Sequence, residues 1–461
     1  PPAPAAGPTA SEVSIKALPR QFARAAAALA MAVLALFLLA VVLLRYAVFP
    51  RVDDWREEIA ASVSRASGLA VTLGDVAAGW QGLRPGLSIA GVKVADGRGH
   101  AVFELERAEI TLSWWTLLAG ELRFQDVDLY TPHLRLRRGA DGLIYLADKP
   151  LNAPAEAADD ALAAWLLAQP RLAIHDAVLA WQDELAGAPE VELRRVEIAM
   201  RKDGRLHRVA LEATPPADLA DRLDLRAQLA FSREGPAWRA AGTAYAEATG
   251  ADLARLRMHV PIPDALRTGR GHARAWIEFE PGRVREVTAD ARLAGVRVQL
   301  AADVLPLELE SLSGRAFYRA QEGGYAAGAS DLAFRTREGL AARGADFSVS
   351  MARAAGEAPR GEVRANGVDL KIAAALLDYL PVPREAKAQA HRYAPRGRLA
   401  DSSLVWTGES LAAASAWRVK SRFEDLAVAA VDGLPGASGL SGSLEGDDRG
   451  GKLRLDSRGA A

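Results

Sequence analysis

Asp126 and Asp128, one residue apart, have the spacing for acid–base chemistry. On a β-strand they share a face, as a general acid and a general base would need to. The same alternation puts Val127 and Leu129 on the other face, so an apolar inner side with wetted carboxylates outside accounts for the pattern without catalysis. Seven histidines, His100, His133, His175, His207, His259, His272 and His391, stand apart, none three or four residues from another. The paired histidines that hold a metal from one helix face are therefore missing. Gly450-Gly451-Lys452 lacks the rest of a phosphate loop, and Gly269 to Gly271 lacks the third glycine of a dinucleotide fingerprint. The two Gly-x-Ser-Gly stretches between Gly436 and Gly442 are one residue too short for a nucleophile elbow and read as turns. With no cysteine in the chain, thiolate catalysis, disulfides and Cys-based zinc or iron–sulfur sites are excluded. The expectation is a protein that is not an enzyme and takes no cofactor or metal.

The elements that carry these residues are mostly strands. Pairs of apolar residues two apart recur: Val71 and Leu73, Leu87 and Ile89, Val92 and Val94, Ile110 and Leu112. Leu122 and Phe124, Leu134 and Leu136, and Ile144 and Leu146 continue the series, with polar or small residues between. Turn signals such as Arg84-Pro85-Gly86, Asp96-Gly97 and Asp141-Gly142 separate them. Alternation of this kind describes a sheet with one apolar and one wet face. Those fourteen residues are the candidate lining of an apolar groove. Eight tryptophans, Trp80, Trp114, Trp115, Trp181, Trp238, Trp276, Trp406 and Trp417, lie within the strand region and read as strand packing.

Ahead of the strands, Ala25 to Leu44 is an uncharged apolar run between Arg24 and Arg45. As a helix it would cover roughly 30 Å, the hydrocarbon thickness of a bilayer. It is longer than the apolar part of a signal peptide, and the bulky Tyr46, Phe49 and Pro50 after it make no cleavage site. A short tail before the span and a long domain after it favour a cytoplasmic N-terminus with the bulk outside. The formal net charge of −1, from 57 basic and 58 acidic residues, implies no nucleic-acid partner.

The chain divides into a disordered cytoplasmic tail (1–22), a transmembrane helix (23–48), a first set of strands behind a short membrane-proximal helix (49–148), a linker and helix (149–168) and a repetitive strand region (169–461). Asp252-Leu253 with Pro261-Ile262-Pro263, Gly269 and Trp276 is echoed by Asp369-Leu370 with Pro381-Val382-Pro383, Gly397 and Trp406. Leu305-Pro306 with Leu312-Ser313-Gly314 is echoed by Leu434-Pro435 with Leu440-Ser441-Gly442. One strand every 10–15 residues would give about twenty-five to thirty-five strands, too many for one flat sheet. An elongated, curled antiparallel sheet, an open U-shaped trough with a few short helices, is the expected fold. The last strand-like segment runs nearly to the end of the chain, which reads as the N-terminal part of a longer protein.

From Trp55 to Ala147 the order of motifs is specific: Gly74-Asp75-Val76, Trp80-Gln81-Gly82-Leu83-Arg84-Pro85, Leu87-Ser88-Ile89, Val92-Lys93-Val94, Trp114-Trp115-Thr116-Leu117-Leu118, Leu129-Tyr130-Thr131-Pro132-His133-Leu134 and Asp141-Gly142. This series resembles the opening of the AsmA-like proteins, in particular the YhdP branch. The later Leu-Pro and Leu-Ser-Gly repeats resemble the same branch. The resemblance implies a bridge-like lipid transfer protein of the Gram-negative envelope, anchored in the inner membrane with its bulk in the periplasm. It implies phospholipids as cargo, moving to the outer membrane along the apolar groove. Outer-membrane or periplasmic proteins would be met through a C-terminal part beyond this chain. A second expectation stays open, an envelope scaffold assisting outer-membrane protein assembly through protein–protein contacts, since the related TamB group has been linked to that role.

Overall fold

The computed structural model describes residues 20–67, 70–82, 84–95, 101–114, 124–146, 149–150, 161–234, 237–411, 413–431 and 435–457. Residues 1–19, the candidate Leu122 and most of the expected linker (151–160) lie outside the described residues. Helix α1 (Arg20–Leu43) passes through a π-helical turn (Leu44–Val48) and a 3-10 segment (Phe49–Trp55) into α2 (Arg56–Ser67). Leu29, Met31, Leu36 and Leu39 on α1 are exposed. A helix apolar on every side and left almost wholly uncovered is at home in hydrocarbon. It is the one candidate membrane span among the described residues.

All 24 described strands belong to one sheet. The first group is β1 (Ala70–Thr72), β2 (Val76–Gln81), β3 (Arg84–Ala95), β4 (Ala101–Leu112), β5 (Phe124–Tyr130), β6 (His133–Arg138), β7 (Ile144–Leu146) and β8 (Lys149–Pro150). The expected linker thus begins two residues late, because Lys149 and Pro150 pair with β7. Helix α3 (Ala161–Ala168) follows. The second group opens with β9 (Arg171–Asp183), β10 (Val191–Asp203), β11 (Leu206–Thr214), β12 (Arg222–Glu234), β13 (Ala237–Asp252), β14 (Leu266–Glu280) and β15 (Arg283–Val298). It continues with β16 (Leu307–Gln321), β17 (Gly324–Thr336), β18 (Ala341–Ala352), β19 (Arg360–Asn366) and β20 (Val368–Asp369). The last strands are β21 (Arg396–Thr407), β22 (Ala416–Val428), β23 (Ala437–Asp447) and β24 (Gly450–Leu455). Several are 12 to 16 residues long, so the described residues hold fewer strands than a spacing of one every 10–15 residues would give.

Nearly every neighbour is antiparallel. The exception is a seam where β5 and β6, one bent strand in effect, both run parallel to β9. Parallel neighbours need a crossover, and α3 lies on it. The carbonyl of Leu167 at the end of α3 accepts hydrogen bonds from Lys202 Nζ (3.1 Å) and His207 Nε2 (2.9 Å), which fasten the helix to β10 and β11. A cation there also suits the negative end of the helix dipole. Strand β2 pairs with β3 and β24 with β23, and the two ends do not meet, so the sheet is open and curled and not a barrel. At about 4.8 Å per neighbour it runs roughly 90 Å along its curve.

A line of bends crosses the sheet. Thr131, Asp176, Arg195, Asp331, Asp401 and Asp425 all have positive φ, with Gly91, Gly250 and Gly295 doing the same on other strands. Register shifts accompany them. Such a bulge bends its strand and leaves a backbone N–H without a ladder partner. A polar side chain on the adjacent strand takes it up: Glu197 for Asp176 (2.9 Å), Asp346 for Asp331 (3.0 Å) and Ser441 for Asp425 (3.1 Å). Aspartate recurs because its short polar side chain tolerates the left-handed region better than other non-glycine residues.

The sequence echo is also a structural one. Asp252 caps α4 (Leu253–Leu256), its carboxylate accepting from the N–H groups of Ala254 and Arg255. Asp369 caps α5 (Leu370–Leu376) in the same way, accepting from Lys371 and Ile372. A 3-10 turn (Leu377–Tyr379) and α6 (Arg384–Tyr393) then lead into β21.

Candidate functional site

Residues directly opposite in neighbouring strands share a face. Followed from pair to pair, one row runs Val76, Ile89, Ala108, Leu129, Ile174, Ile198, Leu211, Leu225, Ala246, Ala275, Ala289, Ala316, Ala329, Phe347, Ala365. Every member is apolar, from β2 to β19. The row one residue away on the opposite face includes Glu109, Asp128, Arg226, Tyr245, Trp276, Thr288, Ser348 and Arg364.

At its start this apolar face is covered. Leu87, Ile89, Val92, Val94, Ile110 and Leu146 are buried together with Val52, Val76, Leu105 and Ala108. Val71, Leu73, Leu112, Phe124, Leu134 and Leu136 pack against them, as do Ile59 of α2 and Trp165 and Leu166 of α3. Ile144 is half-buried on β7, opposite Arg138. Twelve of the fourteen candidates therefore converge in one cluster beneath two helices. Asp53 holds the entry to that lid, its carboxylate accepting from Val76 N–H at 3.2 Å.

Beyond β9 the same face is largely uncovered. Small clusters fill the line of bends, around Val196 and Ala177 and around Val296 and Leu309, the latter topped by Leu253 of α4. Along the rest, large side chains stand open: Leu225 is 38 % exposed, Phe347 40 %, Trp417 39 % and Leu453 61 %. Tyr318, Tyr325, Val363 and Leu444 are exposed on the same face. None of these was a sequence candidate. The adjacent aromatics Phe317 and Tyr318 show why: only the register tells that Tyr318 lies with Val287 and Ala327 on the apolar face.

Ion pairs fasten the other face. Asp290 lies between Arg274 (2.9 Å) and Arg315 (2.6 Å), Glu286 meets Arg319 (2.8 Å), and Glu308 meets Arg297 (2.6 Å) and Arg337 (2.7 Å). The hydrogen bond from Arg315, with help from Arg274 and against some desolvation, brings the Asp290 carboxyl down to about 2. A hollow of about 830 Å³ lies on this polar side, lined by Ala199, Ala210, Arg226, Tyr245 and Trp276. The Asp126 and Asp128 pair is on this face too. Arg171 reaches both, at 3.5 and 3.4 Å, and His175 approaches Asp128 at 3.3 Å. Among the described residues no group of three or more His, Asp or Glu could hold a metal ion.

The arrangement is a long two-sided surface, apolar along one side, that follows a helix long and apolar enough to cross a membrane. The family model described as YhdP protein matches residues 17–461. No curated protein and no solved structure matches the chain.

Proposed function

The chain belongs to the YhdP family, and on that premise we propose that it carries phospholipids between the inner and outer membranes along its apolar face. Its N-terminus lies in the cytoplasm in this reading and its sheet in the periplasm. The observation that carries the reading is the unbroken apolar row from Val76 to Ala365, on whose face large side chains such as Leu225, Tyr318 and Phe347 stand exposed beyond β9. An exposed apolar patch of that extent is unusual on a soluble protein and marks a surface meant for apolar matter. An acyl chain in water costs about 0.8 kcal/mol per CH₂, on the order of ten kcal/mol for a whole chain. A continuous apolar strip removes that barrier step by step, while headgroups stay wet at the open side. No proton transfer or covalent step is needed, and direction would come from a lipid gradient or a partner.

The two faces supply the test. Photo-crosslinkers placed singly at Leu225, Tyr318 and Phe347 in cells should form phospholipid adducts. Crosslinkers at Arg226, Arg319 and Ser348, each adjacent in sequence but on the polar face, should not. Protein adducts without lipid on the apolar face would favour the envelope scaffold instead.

A further inference from the structure

Four aromatic rings form a column along α1. Phe37 packs on Trp114 with ring centres 5.0 Å apart, Trp114 lies 6.1 Å from Trp80, and Trp80 lies 5.2 Å from Phe49. Phe37 and Phe49 belong to the helical rod, whereas Trp80 is on β2 and Trp114 follows the end of β4. The uncharged run of the helix ends at Leu44. At 1.5 Å per residue Phe37 is about 10 Å inside that boundary and Phe49 about 7 Å outside it. The column therefore crosses the membrane surface, and a ring seated on Phe37 lies at the depth of acyl chains.

We infer that this end of the sheet, the close of β2 with the close of β4, is inserted in the outer-facing leaflet of the membrane that α1 crosses. Trp114 lies among the acyl chains and Trp80 at the level of the headgroups. Indole suits both places, with a broad apolar ring and one N–H for the polar boundary. Trp80 pairs with Pro85 two residues beyond the Ala78–Leu87 pair, which puts it at the rim of the apolar face. Gln81, next to it, accepts a hydrogen bond from the Thr111 hydroxyl and ties β2 to the end of β4, so the two tryptophans enter as one unit. The partner of this surface is the lipid leaflet, and the first strands of the apolar face begin inside it.

The inference rests on α1 being a span, and one experiment separates the two. The chain has no cysteine, so a single introduced one is the sole labelling site. The full chain, reconstituted in vesicles of phosphatidylethanolamine and phosphatidylglycerol, carries an environment-sensitive fluorophore on Ser113→Cys, Leu34→Cys or Ser348→Cys. Nitroxide-bearing lipids then report depth. The expected result is loss of fluorescence at positions 113 and 34 with acyl-chain nitroxides, and no loss at 348. Combining Ser113→Cys with Trp80→Ala and Trp114→Ala should release that label from quenching and leave the Leu34 label quenched. Quenching at 34 without quenching at 113 overturns the insertion and keeps the span. No quenching at 34 removes both.

Discussion

The strands before α3 and those after it are built on one pattern and end in different states. In both, apolar residues alternate with polar ones, and a single row of paired residues passes from one region into the other. Yet Ile89 is 2 % exposed and Phe347 is 40 % exposed, although both belong to that row. The difference is a lid. In the first region the 3-10 segment, α2 and α3 place Val52, Ile59, Trp165 and Leu166 over the apolar face. After β9 the short helices cover only patches near the bends. Alternation specifies that a sheet has two unlike sides, and separate segments decide whether the apolar side becomes a core or a surface. A region without a lid must draw its stability from backbone ladders, cross-strand pairs and the charged lattice of its polar side.

The largest test of this contrast is a pair of truncations. Ile89→Ala should cost about 2–5 kcal/mol by leaving a cavity in the lidded core. Phe347→Ala, losing contacts on one side only, should cost about 1 kcal/mol. Hydrogen exchange along a urea series, read separately on β3 and β18, measures both. Equal losses would mean that the second region is packed as closely as the first.

The bends give a smaller effect, confined to the open region. Asp331 has φ near 52°, a conformation that a β-branched side chain resists. Asp331→Val should destabilise by about 1–2 kcal/mol, while Asp331→Gly should be close to neutral, as chemical denaturation would show. A neutral valine would mean that the bend is imposed from outside the strand.

The smallest effect concerns the polar side. The carboxyl of Asp290 titrates at about 2 when folded, below its ordinary value of 3.8. The charged form is the one bound by arginine, so its contribution is complete above the ordinary value. That contribution fades as pH falls through 3.8 towards 2, because the unfolded chain takes up the proton first. Arg315→Ala should move the Asp290 midpoint upward in a carboxyl ¹³C titration and reduce the loss of stability on acidification. An unmoved midpoint would transfer the effect to Arg274.

Much of this was legible in the residues. The long apolar helix, the helix over 161–168 and the two-sided strands follow from local periods that a short window displays. The apolar side of Leu87, Ile89, Ile110 and Leu134 was legible as well, because between bulges parity is reliable. Two things were not. Each bulge shifts the count by one, so the side taken by Tyr318 or Phe347 depends on register shifts such as those near Ser311 and Asp331. Coverage was also hidden, since nothing within β3 announces that Trp165, more than seventy residues later, will lie over it. The equivalent helix caps of Asp252 and Asp369 were visible as repeated letters before their geometry was known.

The line of bends has a consequence for how such a molecule can change size. Each bend is written in one strand and held by a side chain of its neighbour, as Asp331 is by Asp346 and Asp425 by Ser441. No bend requires information from the far end. A duplicated hairpin carrying its own bend would extend the sheet by about 10 Å and leave its profile as it was, as another tile lengthens a gutter. Reach and calibre are thereby independent traits, and inheritance can alter the first without redesigning the second.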